Sequence, residues 1–169
     1  MATYRMPLLT WSATPDTSGN VWIEPLTIAG TNDVWGHFVC RFKDTSTRIG
    51  LTGSANIPKN YNSSGTTSLV IAWTTTATSG NVVWDCDYRA VGGNDSESLD
   101  QSGNQESVSV TDAAPGASLR RLEASVSLTA SNIAADDTLQ FTLFRDGTDG
   151  SDTMAADALL VGLFLQYTD

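Results

Sequence analysis

Apolar and polar residues alternate with a period of two along most of the chain. Such alternation is typical of β-strands that bury one face and expose the other. Polar residues between the apolar positions, including Arg41 and Thr142, are predicted to lie on the opposite faces. The alternating series are Val21 and Ile23; Phe38, Cys40 and Phe42; Leu69, Ile71 and Trp73; Trp84, Cys86, Tyr88 and Ala90; Val108 and Val110; Leu122, Ala124, Val126 and Leu128; and Leu139, Phe141 and Leu143.

The last apolar segment, residues 158–167, is almost continuously apolar instead of alternating. A strand of that kind has both faces covered, so we expect it inside the sheet or at a subunit contact. Glycine-, asparagine- and aspartate-rich turns separate the segments, and short helices are expected only near residues 131–136 and 153–157. The pattern predicts an all-β fold: a two-sheet antiparallel sandwich of eight or nine strands, with a jelly roll favoured over an immunoglobulin-like arrangement.

Two segments depart from the strand pattern. Residues 1–18 are too apolar for a solvated tail and have no strand partner in view, which predicts an extended N-terminal arm that docks on another surface. Residues 19–169 are predicted to form a single β-sandwich domain. Residues 91–106 are acidic and rich in glycine and serine, which predicts a mobile loop. The apolar anchors of the predicted arm are Tyr4, Met6, Leu8, Leu9 and Trp11.

The length and net charge of the chain limit the classes of binding partner that are expected. The 169 residues fit one domain, and 19 acidic against 9 basic residues give a formal net charge of −10. Such a chain is repelled by nucleic acid and by anionic membranes, so neither is an expected partner. There is no apolar run of the length of a membrane span and no secretory signal, which predicts synthesis in a cytoplasm.

Residues that could carry catalysis are sparse. The single histidine, His37, falls on the polar side of a predicted strand, and no nucleophile, nucleotide or zinc-protease motif occurs. Asp85 and Asp87 lie about 7 Å apart on one strand face, as a glycosidase pair could, but a solvated sheet face explains them more simply. The sequence therefore predicts a protein that is not an enzyme and that needs no cofactor.

Metal and thiol chemistry are also weakly supported. The segment Asp146-Gly-Thr-Asp-Gly-Ser-Asp152 is rich in oxygen ligands, but its spacing differs from a calcium loop, and a hairpin turn is the favoured interpretation. Cys40 and Cys86 lie in strand-like segments, and two reduced buried thiols are favoured. A disulfide between them and a two-cysteine metal site are the alternatives.

The five tryptophans could form a platform for sugar rings or pack in the core. Core packing is favoured because most of them sit in alternating strands. Trp11 and Trp35 lie outside the clear strands and are the best candidates for surface contacts.

Two segments of the sequence resemble a known group of proteins. They are Thr78-Ser-Gly-Asn-Val-Val-Trp-Asp85 and Phe144-Arg-Asp-Gly-Thr-Asp-Gly-Ser-Asp-Thr-Met-Ala-Ala-Asp-Ala-Leu-Leu-Val-Gly-Leu163. They resemble a group of jelly-roll virion proteins of tailed bacteriophages and prophages, which includes capsid decoration (cement) proteins and tail-associated proteins. The resemblance covers about residues 65–169. It implies a virion structural protein that forms a homotrimer.

Two functions follow from this resemblance. The first is capsid decoration: a homotrimer on the outer capsid surface that binds the major capsid protein and stabilises the shell through the arm anchors Tyr4, Met6, Leu8, Leu9 and Trp11. The alternative is a tail-associated receptor module that binds glycan through Trp35, or through Trp84 with Asp85 and Asp87. A glycosidase is a third hypothesis, and it requires turnover of a polysaccharide.

Overall fold

The fold is an antiparallel β-sandwich, seen in a computed structural model that describes residues 1–8, 11–13, 20–29, 34–92, 98–99 and 105–169. For residues 11–13, 29, 34 and 35 only the backbone is described. The strands are β1 (Thr3–Pro7), β2 (Trp11–Ala13), β3 (Val21–Ala29), β4 (Val34–Phe42), β5 (Arg48–Asn56), β6 (Thr67–Thr75), β7 (Asn81–Val91), β8 (Glu106–Ala113), β9 (Leu122–Leu128), β10 (Thr138–Asp146) and β11 (Ala158–Thr168).

The strands form two sheets, which confirms the predicted all-β sandwich. Sheet A has the order β3-β4-β11-β6-β9, with β1 also paired to β11, and sheet B has the order β2-β5-β10-β7-β8. Every strand pair is antiparallel. The described part of the chain contains eleven strands instead of eight or nine.

The core lies between the sheets and is built from the alternating apolar residues. Along β10, the residues at 139, 141, 143 and 145 are buried, while their neighbours are half-buried on the outer face. Trp84 is fully buried and meets Phe42 and Trp73 edge to face, with ring centroids 5.2 and 6.0 Å apart. The indole Nε1 of Trp73 donates a hydrogen bond of 2.8 Å to Asp112. Trp73 and Trp84 are therefore core residues, as predicted.

Strand β11 lies inside sheet A, as its continuous apolar sequence predicts. It pairs with β6 along most of its length and with β4 at Ala158–Leu160, and the register with β6 shifts between Leu160 and Gly162. β4 does not pair with β11 beyond Leu160, and β1 pairs with that edge of β11 at residues 164–168. Both edges of β11 are therefore paired.

Residues 3–7 and 11–13 form strands of the sandwich. Thr3–Pro7 pair with β11 as strand β1, with Pro7 opposite Phe164. Residues 11–13 pair with β5 as strand β2. The Tyr4 ring stacks on the Tyr167 ring at 5.5 Å, and Leu8 is buried with its amide donating to the Leu163 carbonyl. The apolar character of these residues is explained by contacts within their own domain.

The β3–β4 hairpin extends beyond the rest of sheet A. Only Cys40–Phe42 of β4 pair with β11, so among the described residues the rest of the hairpin has no third strand beside it. Phe38 lies in that rest and is 77% exposed, and Ile23, on the edge strand opposite Cys40, is 52% exposed, although the alternation predicted both to be buried. Strand alternation shows which face a residue occupies, but not whether another layer covers that face.

Helical structure is limited to one short 3-10 turn, Ala130–Asn132, in the described residues. This turn lies in the first predicted helical segment, and the prediction of a helix at 153–157 was wrong, because residues 152–157 run as irregular chain. No helix in the described part is long and apolar enough to cross a membrane. Most of the predicted mobile loop, residues 93–97 and 100–104, lies outside the described residues.

Candidate functional site

The outer face of sheet B carries the acid pair that the sequence singled out. Asp85 and Asp87 share that face, and Arg48 donates to both: its Nε lies 3.1 Å from Asp85 Oδ2 and its Nη1 lies 3.2 Å from Asp87 Oδ2. The same guanidinium stacks on the Phe144 ring, with Cζ 3.6 Å from the ring centroid. The aromatic ring and both acids on this face are therefore already engaged by one arginine.

Trp84 does not join these acids. It is fully buried between the sheets, whereas Asp85 and Asp87 face outward, because successive strand residues point to opposite faces. The predicted glycan site of Trp84 with Asp85 and Asp87 was therefore wrong. Burial raises the pKa of Asp85, while the hydrogen bond from Arg48 opposes that rise.

The outer face of sheet A has a different character, with a floor of small and apolar residues. Val70, Ala72 and Leu159 face outward on β6 and β11, yet each is at most 3% exposed. The Phe164 ring lies close above Gly162, 3.2 Å from where a Cβ on that glycine would be. Because glycine has no side chain, the Phe164 ring can pack directly against the sheet at this position.

One end of this floor is bordered by Phe164, Arg5 and Glu123. Arg5 donates from Nη1 and Nη2 to the two carboxylate oxygens of Glu123 at 2.9 and 3.0 Å, and from Nη2 to Gln166 at 3.2 Å. The Arg5 Cζ lies 5.4 Å from the Phe164 ring centroid, whereas the Arg48 Cζ on sheet B lies 3.6 Å from the Phe144 ring centroid. Arg121 also donates to Glu123, at 2.5 Å.

The bond between Arg5 and Glu123 crosses β11 and β6 on this outer face. Arg5 lies on β1 opposite Gln166 of β11, and the strand pairing places Ser127 of β9 in line with it. Glu123 lies four residues from Ser127 along β9, which is three strands away from β1. On a flat sheet their Cα atoms would be about 19 Å apart, more than the two extended side chains can span. Twist or curvature of sheet A must therefore bring these two side chains together over this face.

The other end of the floor is bordered by Trp22, Arg41 and Glu24. The Trp22 indole donates to Glu24 at 2.7 Å, and Arg41 Nε donates to the other oxygen of Glu24 at 2.6 Å. Arg41 Nη1 also donates to Asp157 at 2.8 Å, and the Arg41 Cζ lies 5.6 Å from the Trp22 ring centroid. Each end thus combines an aromatic ring, an arginine and a glutamate.

Both glutamates at this face are held in the ionised form. The hydrogen bond from Arg41 is the main cause that lowers the pKa of Glu24, and the hydrogen bonds from Arg5 and then Arg121 lower that of Glu123. A glycosidase needs one carboxyl whose raised pKa keeps it protonated as the general acid. Neither glutamate meets that requirement.

The structure places the predicted arm anchors mostly within their own domain. Leu8 is 2% exposed, Met6 is half-buried and Tyr4 is 39% exposed. The side chains of Leu9 and Trp11, and that of Trp35, lie outside the described residues. The role of these anchors as capsid contacts stays a prediction for Tyr4, Met6, Leu8, Leu9 and Trp11, and Leu8 is buried in the core of its own domain.

Sequence reasoning missed the two aromatic rings of the sheet A face. Trp22 is out of phase with its apolar neighbours Val21 and Ile23, which is the one signal that could have placed it outward. Phe164 lies in a strand whose residues are apolar on both faces, so alternation gives no signal for it.

The oxygen-rich segment 146–152 is a turn whose acids are used internally. Asp152 is bound by the buried Arg145, with Nε to Oδ2 at 3.0 Å and Nη2 to Oδ1 at 2.8 Å. Asp146 and Asp149 accept from the backbone amides of Thr148 and Ser151. No cluster of three or more His, Cys, Asp or Glu suited to a metal ion occurs in the described part.

The two cysteines are buried free thiols. Burial raises the pKa of Cys40 and of Cys86 to about 12. The favoured prediction of reduced thiols is confirmed, and neither sulfur is poised for reaction. His37 is exposed on β4, as predicted.

Comparison with known proteins identifies the fold and no family. Neither a family model nor a curated protein matches the chain. Among solved structures, a family 35 carbohydrate-binding module from Clostridium thermocellum aligns over 98% of both chains at 10% identity and a TM-score of 0.50. A CBM22-2 xylan-binding domain from Paenibacillus barcinonensis Xyn10C aligns over 98% of this chain and 99% of that one, at 11% identity and a TM-score of 0.50. The CBM22-1-GH10 modules of a C. thermocellum xylanase, complexed with xylohexaose, align over 99% of this chain and 28% of that one, at 12% identity and a TM-score of 0.51.

Proposed function

We propose that this chain is a non-catalytic carbohydrate-binding domain and that it holds a glycan on the outer face of sheet A. The observation that carries the proposal is the pair of rings, Trp22 and Phe164, at opposite ends of a low apolar floor. Neither ring has a guanidinium stacked on it as closely as Phe144 on sheet B.

The chemistry of this face suits sugar rings. The apolar face of a sugar packs on an aromatic ring, and its hydroxyls bond to polar groups beside that ring. Arg5 and Glu123 beside Phe164, and Arg41 and Glu24 beside Trp22, supply those donors and acceptors. Strand spacing puts the two aromatic positions about 16 Å apart, so an extended chain of several sugars is needed to contact both.

The fold comparison supports the same proposal. The solved structures at a TM-score of 0.50 or 0.51 are named as a carbohydrate-binding module, a xylan-binding domain and xylanase modules bound to xylohexaose. The ionised state of Glu24 and Glu123 supports binding without hydrolysis. The virion resemblance adds that the glycan belongs to a host surface and that the domain is tail-associated.

Binding to a panel of neutral polysaccharides, including xylan, mannan and galactan, tests the proposal. Loss of one aromatic platform should weaken binding about tenfold, so Trp22→Ala and Phe164→Ala should each show that loss. The matched control is Phe144→Ala, which removes a ring from the opposite face and should leave affinity unchanged. Equal effects of all three substitutions, or no binding by the unchanged protein, would contradict the proposal.

Capsid decoration is a second candidate, and the exposure of Ile23 and Phe38 favours it. Side chains 52% and 77% exposed on a projecting hairpin are suited to a protein contact. If this hairpin binds the major capsid protein, Phe38→Ser should abolish co-sedimentation with undecorated shells while Tyr4→Ser does not. Unchanged co-sedimentation of Phe38→Ser would remove the hairpin from consideration.

A further inference from the structure

The charged side chains at the sheet A face compensate one another. Arg5 and Arg121 both bind Glu123, and Arg41 binds Glu24 and Asp157. In the described part of the chain, these bonds pair three positive with three negative groups at this face, while the formal net charge of the chain is −10. The face is locally neutral on an acidic protein.

We infer that Glu123 is a specificity-determining residue that restricts this face to uncharged glycans by acting as the internal counter-ion of Arg5 and Arg121. This inference rests on the proposed function. A glycan carboxylate such as a uronate would otherwise be a natural partner for a guanidinium beside an aromatic ring.

The geometry explains why a uronate is excluded while Glu123 is present. Both oxygens of Glu123 accept from Arg5 in a two-pronged arrangement, the strongest form of carboxylate recognition by arginine. A glycan carboxylate must displace this one, and the resident group has the advantage of being tethered in place. A displaced Glu123 would also remain beside the incoming anion and repel it.

Glu123 is the better counter-ion to test than Glu24. Glu24 also accepts from the Trp22 indole, so its replacement would disturb an aromatic ring of the proposed site. Arg41 would in addition keep its bond to Asp157. Glu123 is 29% exposed and Arg5 is 40% exposed, so a substitution at Glu123 leaves an arginine that solutes can reach.

The test compares Glu123→Gln with the unchanged protein by isothermal titration with a neutral galacto-oligosaccharide and with an oligogalacturonate of equal length. Asp87→Asn is the matched control, because it removes one charge and one arginine partner on the opposite face. Unfolding midpoints of all proteins establish that they are folded.

For oligogalacturonate, Glu123→Gln should bind about tenfold more tightly at an ionic strength of about 0.05 M, the expected gain from one charge-assisted hydrogen bond. At about 0.5 M that gain should largely disappear, because salt screens exposed charges. Neutral oligosaccharide affinity should not rise, because the substitution offers an uncharged chain no new charged partner. Asp87→Asn should show no gain.

Two results would overturn the inference: equal oligogalacturonate affinity in Glu123→Gln and Asp87→Asn, or an unchanged protein that already binds oligogalacturonate as tightly as the neutral chain. A different result separates the proposed function from it. If no protein binds neutral glycan but Glu123→Gln alone gains oligogalacturonate binding, the counter-ion role of Glu123 is supported and neutral-glycan binding is refuted.

Discussion

Removal of one partner of the buried ion pair between Arg145 and Asp152 should strongly destabilise the loop that precedes β11. Arg145 is 1% exposed and the Asp152 side chain 3% exposed. Arg145 also donates to the carbonyls of Ala156 and Met154, both at 2.7 Å, and to Asp44 at 3.2 Å. Asp152 in turn accepts from the Val83 amide at 3.2 Å.

Removal of Arg145 leaves a buried carboxylate and two carbonyl groups without their donors. Breaking one partner of a buried ion pair costs about 3–5 kcal/mol, so Arg145→Met should lower the free energy of unfolding by that amount. Asp152→Asn should cost somewhat less, because the amide oxygen can still accept a hydrogen bond. The double variant Arg145→Met/Asp152→Leu should be less destabilised than the sum of its single variants, since no unpaired buried charge remains.

Denaturant unfolding, followed by tryptophan fluorescence, measures these differences. Asp149→Asn is the matched control, because Asp149 is exposed in the same loop and an amide can still accept from the Ser151 backbone. The reasoning is refuted if Arg145→Met is no more than about 1 kcal/mol less stable than Asp149→Asn, a difference typical of a surface salt bridge. Simple addition of the single effects in the double variant would also refute it.

Three further outcomes are expected. Gly50→Ala should destabilise by about 1–3 kcal/mol in thermal or chemical unfolding, because the added Cβ would lie 2.7 Å from a backbone carbonyl oxygen of β10. Cys40 and Cys86, with pKa values raised by burial to about 12, should not react with a thiol reagent until the protein unfolds; rapid labelling of the native state would contradict their burial. The pKa values of Glu24 and Glu123 are lowered by folding, so their stabilising contribution is present above the ordinary glutamate pKa and lost on acidification. The free energy of unfolding should therefore fall as the pH drops below about 4.3, and Glu24→Gln should weaken this dependence; a pH profile identical to that of the unchanged protein would contradict the assignment.

The sequence predicts the fold class well because the inner residues of β7, β9 and β10 mostly alternate with polar ones. It predicts poorly whether a second layer of the fold packs on a given strand face. Phe38 belongs to an alternating series, yet it is exposed because the hairpin that carries it runs past the last paired residue of β11. Whether a second layer covers a strand depends on contacts between residues far apart in the chain, which local periodicity does not contain.

The same limit applies to the N-terminus and to the candidate site. Tyr4 and Met6 pair with residues at the other end of the chain, so an apolar segment without a nearby partner suggested an arm. Trp22 and Phe164 come from distant strands that meet only through the order of sheet A. By contrast, the segment around Arg145 and Asp152 stood out in the sequence, and the structure gives it a structural role.

The position of β11 in sheet A affects how this protein is made. Because the final strand separates β4 and β1 from β6, these strands have no stable neighbour on that side until residues 158–168 leave the ribosome. Sheet A can therefore close only once β11 has been made, and unpaired strand edges on the nascent chain are open to aggregation until then. Shortened chains that lack β11 should accumulate in inclusion bodies or bind chaperones, whereas a chain that contains β11 can complete the sheet.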